Sequence, residues 1–162
     1  MKVIYIAGKY RGPTPWAVEQ HIRAAEDVAA KVIQAGHMPL TPHKNTSHME
    51  GLADDAFFLA GTMELLRRCD AVLCVSNWRD SVGARAEVVE ARRLGLPVFG
   101  VGSEFADYLG RVGVALYGDN GQGKSFAVTM DAAIENLCEW AKYDDKAERK
   151  WSPMFAHGPH VP

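Results

Sequence analysis

Short apolar runs alternate with segments of helical periodicity along the first hundred or so residues of the chain. Each run is followed by glycine, proline or polar residues, as expected for buried parallel strands. The second run is the weakest. Strands that alternate with helices in this way predict right-handed βαβ units and a parallel sheet. The four predicted strands are residues 3–7, 37–41, 70–75 and 98–101.

Amphipathic helices are predicted between and after these strands. The first begins at Thr14, a suitable N-cap, with Pro15 in the first helical position, and Gly36 provides its C-terminal stop. The segment between the second strand and the next helix is predicted to be loop. The other helices are predicted at residues 54–68, about 81–94 and 125–143. For the helix at 54–68, Asp55 is predicted on the same side as an inward stripe made of Phe58, Leu59, Thr62, Leu65, Leu66 and Cys69.

The pattern weakens beyond residue 102. Residues 103–109 are predicted as a short helix and residues 112–117 as a fifth strand. We therefore expect an α/β fold with a doubly wound, mostly parallel sheet of about five strands and helices on both faces. The domain is expected to cover residues 1–143. Residues 144–162 are charged and then rich in proline and histidine, which predicts a loose tail or an arm that docks on a partner chain.

Composition narrows the possible functions without choosing one. The chain has 162 residues, of which 48% are hydrophobic and 23% charged, which is typical of one globular domain. Its net charge of −2 argues against binding to long nucleic acids. Three cysteines without Cys-x-x-Cys spacing predict no metal site and no disulfide framework. The N-terminal apolar run is too short for a signal peptide or a membrane span, so we expect a cytoplasmic protein with no membrane partner.

One charged residue interrupts the apolar face of the third predicted helix. Glu87 falls on the inward stripe, where an ionised carboxylate is costly unless it is paired or used chemically. Glu90 lies off that stripe, beside Arg93, and is predicted to be its solvated partner. Glu87 is therefore either a structural carboxylate, paired with Arg85, Arg11 or a backbone donor, or a functional one. The stripe consists of Ala84, Glu87, Val88, Ala91 and Leu94.

Three loops that follow strands are rich in glycine, polar and charged residues that could bind a ligand. They are residues 8–13, 42–46 and 77–83. In an open α/β sheet, ligands bind at the carboxyl ends of the strands. Gly8 and Gly12 flank Arg11, and this arrangement suits an anion held by backbone and guanidinium groups. Ser81 and Gly83 at a helix N-terminus offer a hydroxyl and free N–H groups for the same purpose. The alternative is that all of these are tight turns.

Other candidates have two interpretations each. His43 is either a loop histidine or a catalyst. Asp55, like Asp54 before it, either complements the helix dipole or faces the site. Tyr5 and Tyr10 could flank a base or a sugar, although alternation within the strand favours packing for Tyr5. Trp78 follows a strand as either a rim aromatic or a platform on which a base stacks.

Residues 118–125 read Gly-Asp-Asn-Gly-Gln-Gly-Lys-Ser and match the P-loop pattern. A P-loop normally follows an early strand and is followed by a strand that supplies a magnesium-binding Asp. Here the motif comes after four predicted strands, and no later strand is indicated. We therefore interpret it as a glycine-rich turn before the last helix.

Four segments together resemble the nucleoside 2-deoxyribosyltransferase-like superfamily, and most closely its DUF4406 branch. They are Ile-Tyr-Ile-Ala-Gly at 4–8, Pro-His at 42–43, Cys-Asp-Ala-Val at 69–72 and Ser-Val-Gly-Ala-Arg-Ala-Glu at 81–87. The resemblance implies a flavodoxin-like fold and homodimers or larger homo-oligomers in which a neighbour completes the site. It also implies that Glu87 is the nucleophile that attacks the anomeric carbon of a nucleoside, without metal or organic cofactor.

Two branches of that superfamily differ at informative positions. Transferases of free nucleosides tend to carry Asp where this chain has Ser81, whereas enzymes that hydrolyse nucleoside 5′-monophosphates carry Ser there. The first loop of the hydrolases reads Gly-x-x-Arg-Gly, as residues 8–12 do. By that likeness Arg11, Gly12, Ser81 and Gly83 would hold a 5′-phosphate.

The chain departs from both branches at Thr62, where they usually have an Asp that contacts the sugar and assists proton transfer. A hydroxyl can bind the sugar but cannot act as a carboxylic acid. Either Asp55 (or its neighbour Asp54), Asp80 or His43 supplies the proton, or the protein binds a nucleotide without turnover. The predicted activity is cleavage or transfer of the N-glycosidic bond of a (deoxy)nucleoside or its 5′-monophosphate, and the alternative is a nucleotide-binding sensor of the same fold.

Overall fold

A computed structural model describes residues 1–100 and 129–143. Its centre is a fully parallel sheet that, among these residues, has four strands in the order β2-β1-β3-β4. This confirms the predicted doubly wound α/β fold of flavodoxin-like type, while the predicted fifth strand, at 112–117, lies outside the described residues. The strands are β1 (Val3–Ala7), β2 (Met38–Leu40), β3 (Ala71–Cys74) and β4 (Val98–Phe99).

The strand order reverses beside β1. The chain passes from β1 to β2 on one side and then crosses to β3 on the other. Tyr5, in the middle of β1, pairs with Leu40 of β2 and with Val72 of β3. A crevice opens at the carboxyl edge of such a sheet where the order reverses, so the loops after β1, β2 and β3 are well placed for a ligand.

The helices confirm most of the predicted boundaries. The Thr14 hydroxyl accepts a hydrogen bond from the Ala17 amide at 3.2 Å, and Gly36 ends the first helix with a φ of +82°. The segment after β2, predicted to be loop, instead contains a one-turn helix with Pro42 in its first turn. The helices are α1 (Pro15–Gln34), α2 (Pro42–Asn45), α3 (Asp55–Leu66), α4 (Val82–Arg93) and α5 (Met130–Tyr143).

Two hydrophobic layers cover the two faces of the sheet. Ile4 and Ile6 of β1 point towards α1 and α5, whereas Tyr5 and Ala7 point towards the side on which α4 packs. Successive side chains of a strand alternate between faces, so the pattern of β1 places Tyr5 on the same side as Glu87. Helices on both faces are thereby confirmed.

The structure corrects the predicted inward face of α3. Leu66 is the buried residue of this helix, whereas Leu59 and Asp55 of the predicted inward stripe are exposed. The helix packs on the core at its C-terminal end, and its N-terminal half stands at the open edge beside the loops. An apolar pattern alone could not distinguish these two environments, because both are rich in hydrophobic side chains.

Several predictions fall on residues that the structure does not describe. These are the helix at 103–109, the strand at 112–117, the P-loop-like segment at 118–125, the first residues of the last helix and the tail at 144–162. Within the described residues, none of the helices combines the length and hydrophobicity needed to cross a bilayer.

Candidate functional site

The loops after β1, β2 and β3 converge at the carboxyl edge of the sheet. The Lys9 amide donates a hydrogen bond to Asn77 Oδ1 at 3.1 Å, which joins the first loop to the third. A Cβ atom at Gly8 would lie 3.0 Å from Val75 Cγ2 and 3.3 Å from His43 Nε2. Gly8 is thus the residue that lets the three loops approach one another so closely.

Glu87 lies on the inner face of α4, as its position in the stripe predicts, and only 8% of the residue is exposed. Its Oε1 accepts a hydrogen bond of 2.6 Å from the Tyr5 hydroxyl. Neither predicted charged partner pairs with it, because Arg85 donates to the Arg79 carbonyl and Arg11 pairs with Asp55. Tyr5 is therefore packed, as predicted, and is also the partner of Glu87, which the sequence did not reveal.

Burial changes the acidity of this pair. It raises the pKa of Glu87 from its ordinary 4.5 to about 7, and the hydrogen bond from Tyr5 acts against this rise. The pKa of Tyr5 is raised well above its usual value, first by burial and then by the nearby Glu87 carboxylate. At neutral pH about half of the Glu87 side chains are therefore protonated, and Tyr5 remains a hydrogen-bond donor.

The side chain of Thr62 contacts Tyr5, the partner of Glu87. Contact with the Thr62 side chain lowers the pKa of Tyr5, against the larger effects of burial and Glu87. The Thr62 hydroxyl also lies 3.0 Å from the Leu59 carbonyl oxygen, to which it donates. Thr62, the position at which the resemblance implies an Asp, therefore lies beside the partner of Glu87 and holds a neutral hydroxyl.

The N-terminus of α4 opens at the same edge. Ser81 is its N-cap, and the Ser81 hydroxyl accepts a hydrogen bond from the Ala84 amide at 3.2 Å. The first N–H groups of a helix, here those of Val82 and Gly83, have no partner within the helix and attract anions. A Cβ at Gly83 would lie 3.3 Å from Leu59 Cδ2, so this end of α4 also lies close to α3.

The first loop is tied to residues near the start of α3. The Arg11 guanidinium donates to Asp55, and the Tyr10 hydroxyl donates to Glu50. Both side chains of the Arg11–Asp55 pair are about two-thirds exposed, at 65% and 66%. Asp54, rather than Asp55, caps α3, because its carboxylate accepts the Phe57 amide at 2.8 Å. Asp55 thus has a specific partner in the first loop.

His43 lies in the short helix α2 rather than in a loop, and it is enclosed. It is 5% exposed, and its ring packs edge-on to Tyr10 with the ring centroids 6.2 Å apart. Neither ring nitrogen makes a hydrogen bond of regular geometry among the described residues, although backbone groups of Lys9 and Gly8 lie close enough to oppose the effect of burial on the pKa of His43. Burial lowers the pKa of His43, so the ring is neutral at pH 7. An enclosed neutral imidazole beside the first loop can still donate or accept a hydrogen bond from a ligand.

Of the predicted site residues, Trp78 and Gly12 have packing roles, and Asp80 is exposed. Trp78 is 2% exposed and belongs to the core cluster that contains Tyr5 and Ala84, so it is neither a rim aromatic nor an open stacking platform. A Cβ at Gly12 would lie 2.7 Å from Ala17 Cβ. This close packing is enough to require glycine there, whether or not the loop binds a ligand. Asp80 is exposed, in a 3₁₀ turn that precedes α4.

Comparison with solved structures supports the fold. The 2-deoxyribosyltransferase of Leishmania mexicana matches with a TM-score of 0.53 and 19% identity, over 86% of this chain and 98% of that one. The CMP N-glycosidase of Clostridium botulinum gives a TM-score of 0.47 and 14% identity, over 86% and 99%. The 2-deoxyribosyltransferase of Bacillus psychrosaccharolyticus gives 0.46 and 21%, over 61% and 71%. The Leishmania comparison shows that the α/β fold is shared.

Comparison of sequences places the chain in a family. A search of curated protein sequences gave no significant match. The model of one family, described as a domain of unknown function, matches residues 2–100. This match contains all three loops and Glu87, and it covers more than half of the chain. The protein therefore belongs to the DUF4406 family.

Proposed function

We propose that this protein cleaves or transfers the N-glycosidic bond of a (deoxy)nucleoside or nucleoside 5′-monophosphate, with Glu87 as the nucleophile. The observation that carries the proposal is a buried carboxylate on the inner face of α4, held by the Tyr5 hydroxyl, in a fold whose loops after β1, β2 and β3 converge. The fold shared with a protein named as a 2-deoxyribosyltransferase supports it. A buried carboxylate costs folding free energy, which a catalytic use would explain.

The proposed chemistry has two steps. Ionised Glu87 attacks C1′ of the sugar through Oε2, because Oε1 is occupied by Tyr5. The C1′–N bond breaks, its electron pair leaves with the base, the base takes up a proton, and an ester joins the sugar to Glu87. Attack on C1′ by water then breaks the C1′–Oε2 ester bond and releases the free sugar, the Glu87 carboxylate and a proton. Attack by a nitrogen of a second base forms a new nucleoside instead.

The remaining site residues would bind the substrate. The N-terminus of α4, at Ser81 and Gly83, and the guanidinium of Arg11 would hold a 5′-phosphate, and Gly12 would keep the loop backbone close. Thr62 would hydrogen-bond the sugar. The residues proposed to line the sugar and the base are Gly8, Tyr10 and His43, with Trp78 supporting the third loop from the core.

The proton donor for the departing base is a separate question. The predicted donors are Asp54, Asp55, Asp80 and His43. Asp55 and Asp80 are both exposed and make no hydrogen bond to Glu87 among the described residues. Replacing each by Asn and measuring base release tests them separately. An acid involved in leaving-group protonation contributes about 10²- to 10⁴-fold, so a loss smaller than tenfold would remove that aspartate from the mechanism.

One observation favours a second candidate function, nucleotide binding without turnover. With its pKa raised to about 7, Glu87 is largely protonated at slightly acidic pH and is then a hydrogen-bond donor rather than a nucleophile. Thr62 provides no acid beside it. In this case Glu87 would bind a sugar hydroxyl, and occupancy of the site would be the signal.

Release of free base from a panel of nucleosides and their 5′-monophosphates distinguishes the two functions. We expect release by the wild-type protein and a loss of at least about 10³-fold in Glu87→Gln, which removes the nucleophile. Glu90→Gln is the matched control, because it also replaces a glutamate of α4 by glutamine, three residues further along and on the outer face of the helix. Unchanged release by Glu87→Gln would exclude the enzymatic proposal. A monophosphate that raises Tm without base release would support the binding function.

We also propose that the protein forms a homodimer or a larger homo-oligomer. Large apolar side chains are exposed before α3 and at the starts of α3 and α4, namely Leu52, Phe57 and Val82. The exposed Leu59 of α3 lies beside Gly83 at the start of α4, so exposed apolar side chains of the two helices adjoin there. Exposed apolar surface that extends over two elements is typical of an interface. Light scattering after gel filtration tests the proposal with Phe57→Glu. The matched control is Ile33→Glu, which changes an equally exposed apolar residue on α1. A monomeric wild-type protein would contradict it.

A further inference from the structure

The two polar side chains of the first loop are both engaged by carboxylates. Arg11 pairs with Asp55 in the first turn of α3, and Tyr10 donates to Glu50 in the segment before it. These ties connect the loop after β1 to the chain around the start of α3, on the side where the loop would meet a 5′-phosphate. The cation proposed to bind phosphate is therefore already paired within the protein.

The atoms involved make this pairing relevant to binding. Asp55 Oδ1 accepts from Nη2, a terminal nitrogen of the guanidinium. The forked contact between arginine and phosphate uses two N–H groups of the guanidinium, and commonly the terminal ones. A phosphate that binds in this geometry either displaces Asp55 from Nη2 or binds beside it, at a distance where two anions repel each other.

We propose that Asp55 is an intramolecular competitor for the 5′-phosphate and thereby sets the selectivity of the site between nucleosides and their monophosphates. The inference rests on the proposed function, because it assigns the phosphate to Arg11. A neutral nucleoside leaves the Arg11–Asp55 pair intact. A monophosphate either breaks the pair or binds beside the Asp55 carboxylate, and in both cases the affinity gained from Arg11 is reduced.

The solvent exposure of the Arg11–Asp55 pair limits how much Asp55 can change the affinity for a monophosphate. Both partners are about two-thirds exposed, and ion pairs of this kind are weak. Asp55 therefore weakens monophosphate binding without preventing it. Removal of its charge is expected to tighten binding about three- to tenfold, from the lost pair together with the lost repulsion.

The opposite role for Asp55 predicts the opposite result. If Asp55 held Arg11 in the orientation that a phosphate requires, its removal would weaken monophosphate binding. The sign of the change in affinity therefore separates a competitor from a positioning residue. Asp55 is not the cap of α3, so its substitution removes a first-turn charge but leaves the capping hydrogen bond of Asp54 intact.

The test is titration calorimetry with the common ribo- and deoxyribonucleosides and their 5′-monophosphates, in a Glu87→Gln background that consumes no ligand. We expect Asp55→Asn and Asp55→Ala to tighten binding of the preferred monophosphate about three- to tenfold and to leave the nucleoside within twofold. Glu64→Gln is the matched control, since it removes one exposed carboxylate from the same helix, away from the first loop. It is expected to change neither ligand.

Each other outcome overturns the inference in a recognisable way. Weaker or unchanged binding of the monophosphate in both Asp55 variants contradicts competition while leaving the proposed function in place. Equal tightening of nucleoside and monophosphate contradicts a role in selectivity. If none of the nucleosides and monophosphates binds the Glu87→Gln protein that still carries Asp55, the proposed function itself is overturned. The assignment of Arg11 to the phosphate is then overturned with it.

Discussion

Two glutamates on α4, less than one helical turn apart, have opposite environments. Glu87 faces the sheet, has the Tyr5 hydroxyl as its hydrogen-bond donor, and has a pKa raised by burial to about 7. Glu90 faces outward and binds Arg93 and Arg67, whose hydrogen bonds lower its pKa to about 2. Near pH 7 a glutamate on the inner face of α4 is thus partly protonated, whereas a glutamate on the outer face is fully ionised.

The difference shows how the site can be distinguished from the scaffold. A carboxylate with arginine partners at the surface gains a modest interaction and needs no further explanation. A carboxylate with one neutral donor in a buried position reduces stability at neutral pH, and such groups are concentrated at functional sites. If this contrast is real, Glu87 and Glu90 respond differently to substitution and to pH.

The first prediction compares the stabilities of Glu87→Gln and Glu90→Gln at pH 8. Glu87 has a folded pKa of about 7 against 4.5 ordinarily, so its contribution is fully present below 4.5 and is lost as the pH rises through 7. Glu87→Gln should therefore raise the free energy of unfolding by about 3 kcal/mol at pH 8, with no gain near pH 4.5. Chemical denaturation at both pH values measures this.

Glu90→Gln should give the opposite sign. Its lowered pKa means that its contribution is present above 4.5 and is lost as the pH falls towards 2. We expect a decrease in Tm of less than about 3 °C at pH 8, because its arginine partners are substantially exposed, at 42% and 63%, and solvent screens their charges. If both substitutions shifted stability in the same direction, the contrast between the two faces would be wrong.

The second prediction removes the hydroxyl that holds Glu87. Tyr5→Phe keeps the packing of β1 but leaves the carboxylate without its donor. Base release should fall about 10- to 100-fold, which corresponds to the loss of one buried hydrogen bond to a charged group. The pH at which activity is half-maximal should move upward, because the hydrogen bond lowers the pKa of Glu87. A fall in rate without this shift would reduce Tyr5 to a packing residue.

The third prediction concerns the pH dependence of the wild-type reaction. A nucleophilic Glu87 must be ionised, so activity should rise with pH through about 7 and then level off. Between pH 6 and pH 7 the rate should increase about fivefold, as the ionised fraction does. A profile that is flat from pH 5.5 to 8 would show that Glu87 does not titrate in this range or does not limit the rate.

The direction of Glu87 was predictable because α4 is regular. A period of 3.6 residues places it on the same stripe as Ala84, Val88 and Ala91, and all four are buried. Caps such as Thr14 and Ser81 were predictable for a similar reason, since they depend on residues close in the sequence. The parallel sheet followed from the alternation of strands and helices.

The partners of these residues were not predictable from local pattern. The bond between Tyr5 and Glu87 joins residues 82 positions apart, and alternation in β1 does not say which helix covers each face. The same limit applies to the pair of Arg11 and Asp55. The burial of Trp78 was missed because a tryptophan after a strand packs under its loop or over a ligand with equal ease.

The most direct test of the account is the capture of the glycosyl ester on Glu87. The protein is incubated with a substrate identified in the base-release panel, or with its 2-fluoro analogue to slow the second step, and then quenched in acid and digested. Mass spectrometry should find the sugar on the peptide that contains Glu87, and no adduct should form in Glu87→Gln. Base release by a protein that carries the sugar on another residue, or an adduct that persists in Glu87→Gln, would contradict the assignment of Glu87 as the nucleophile.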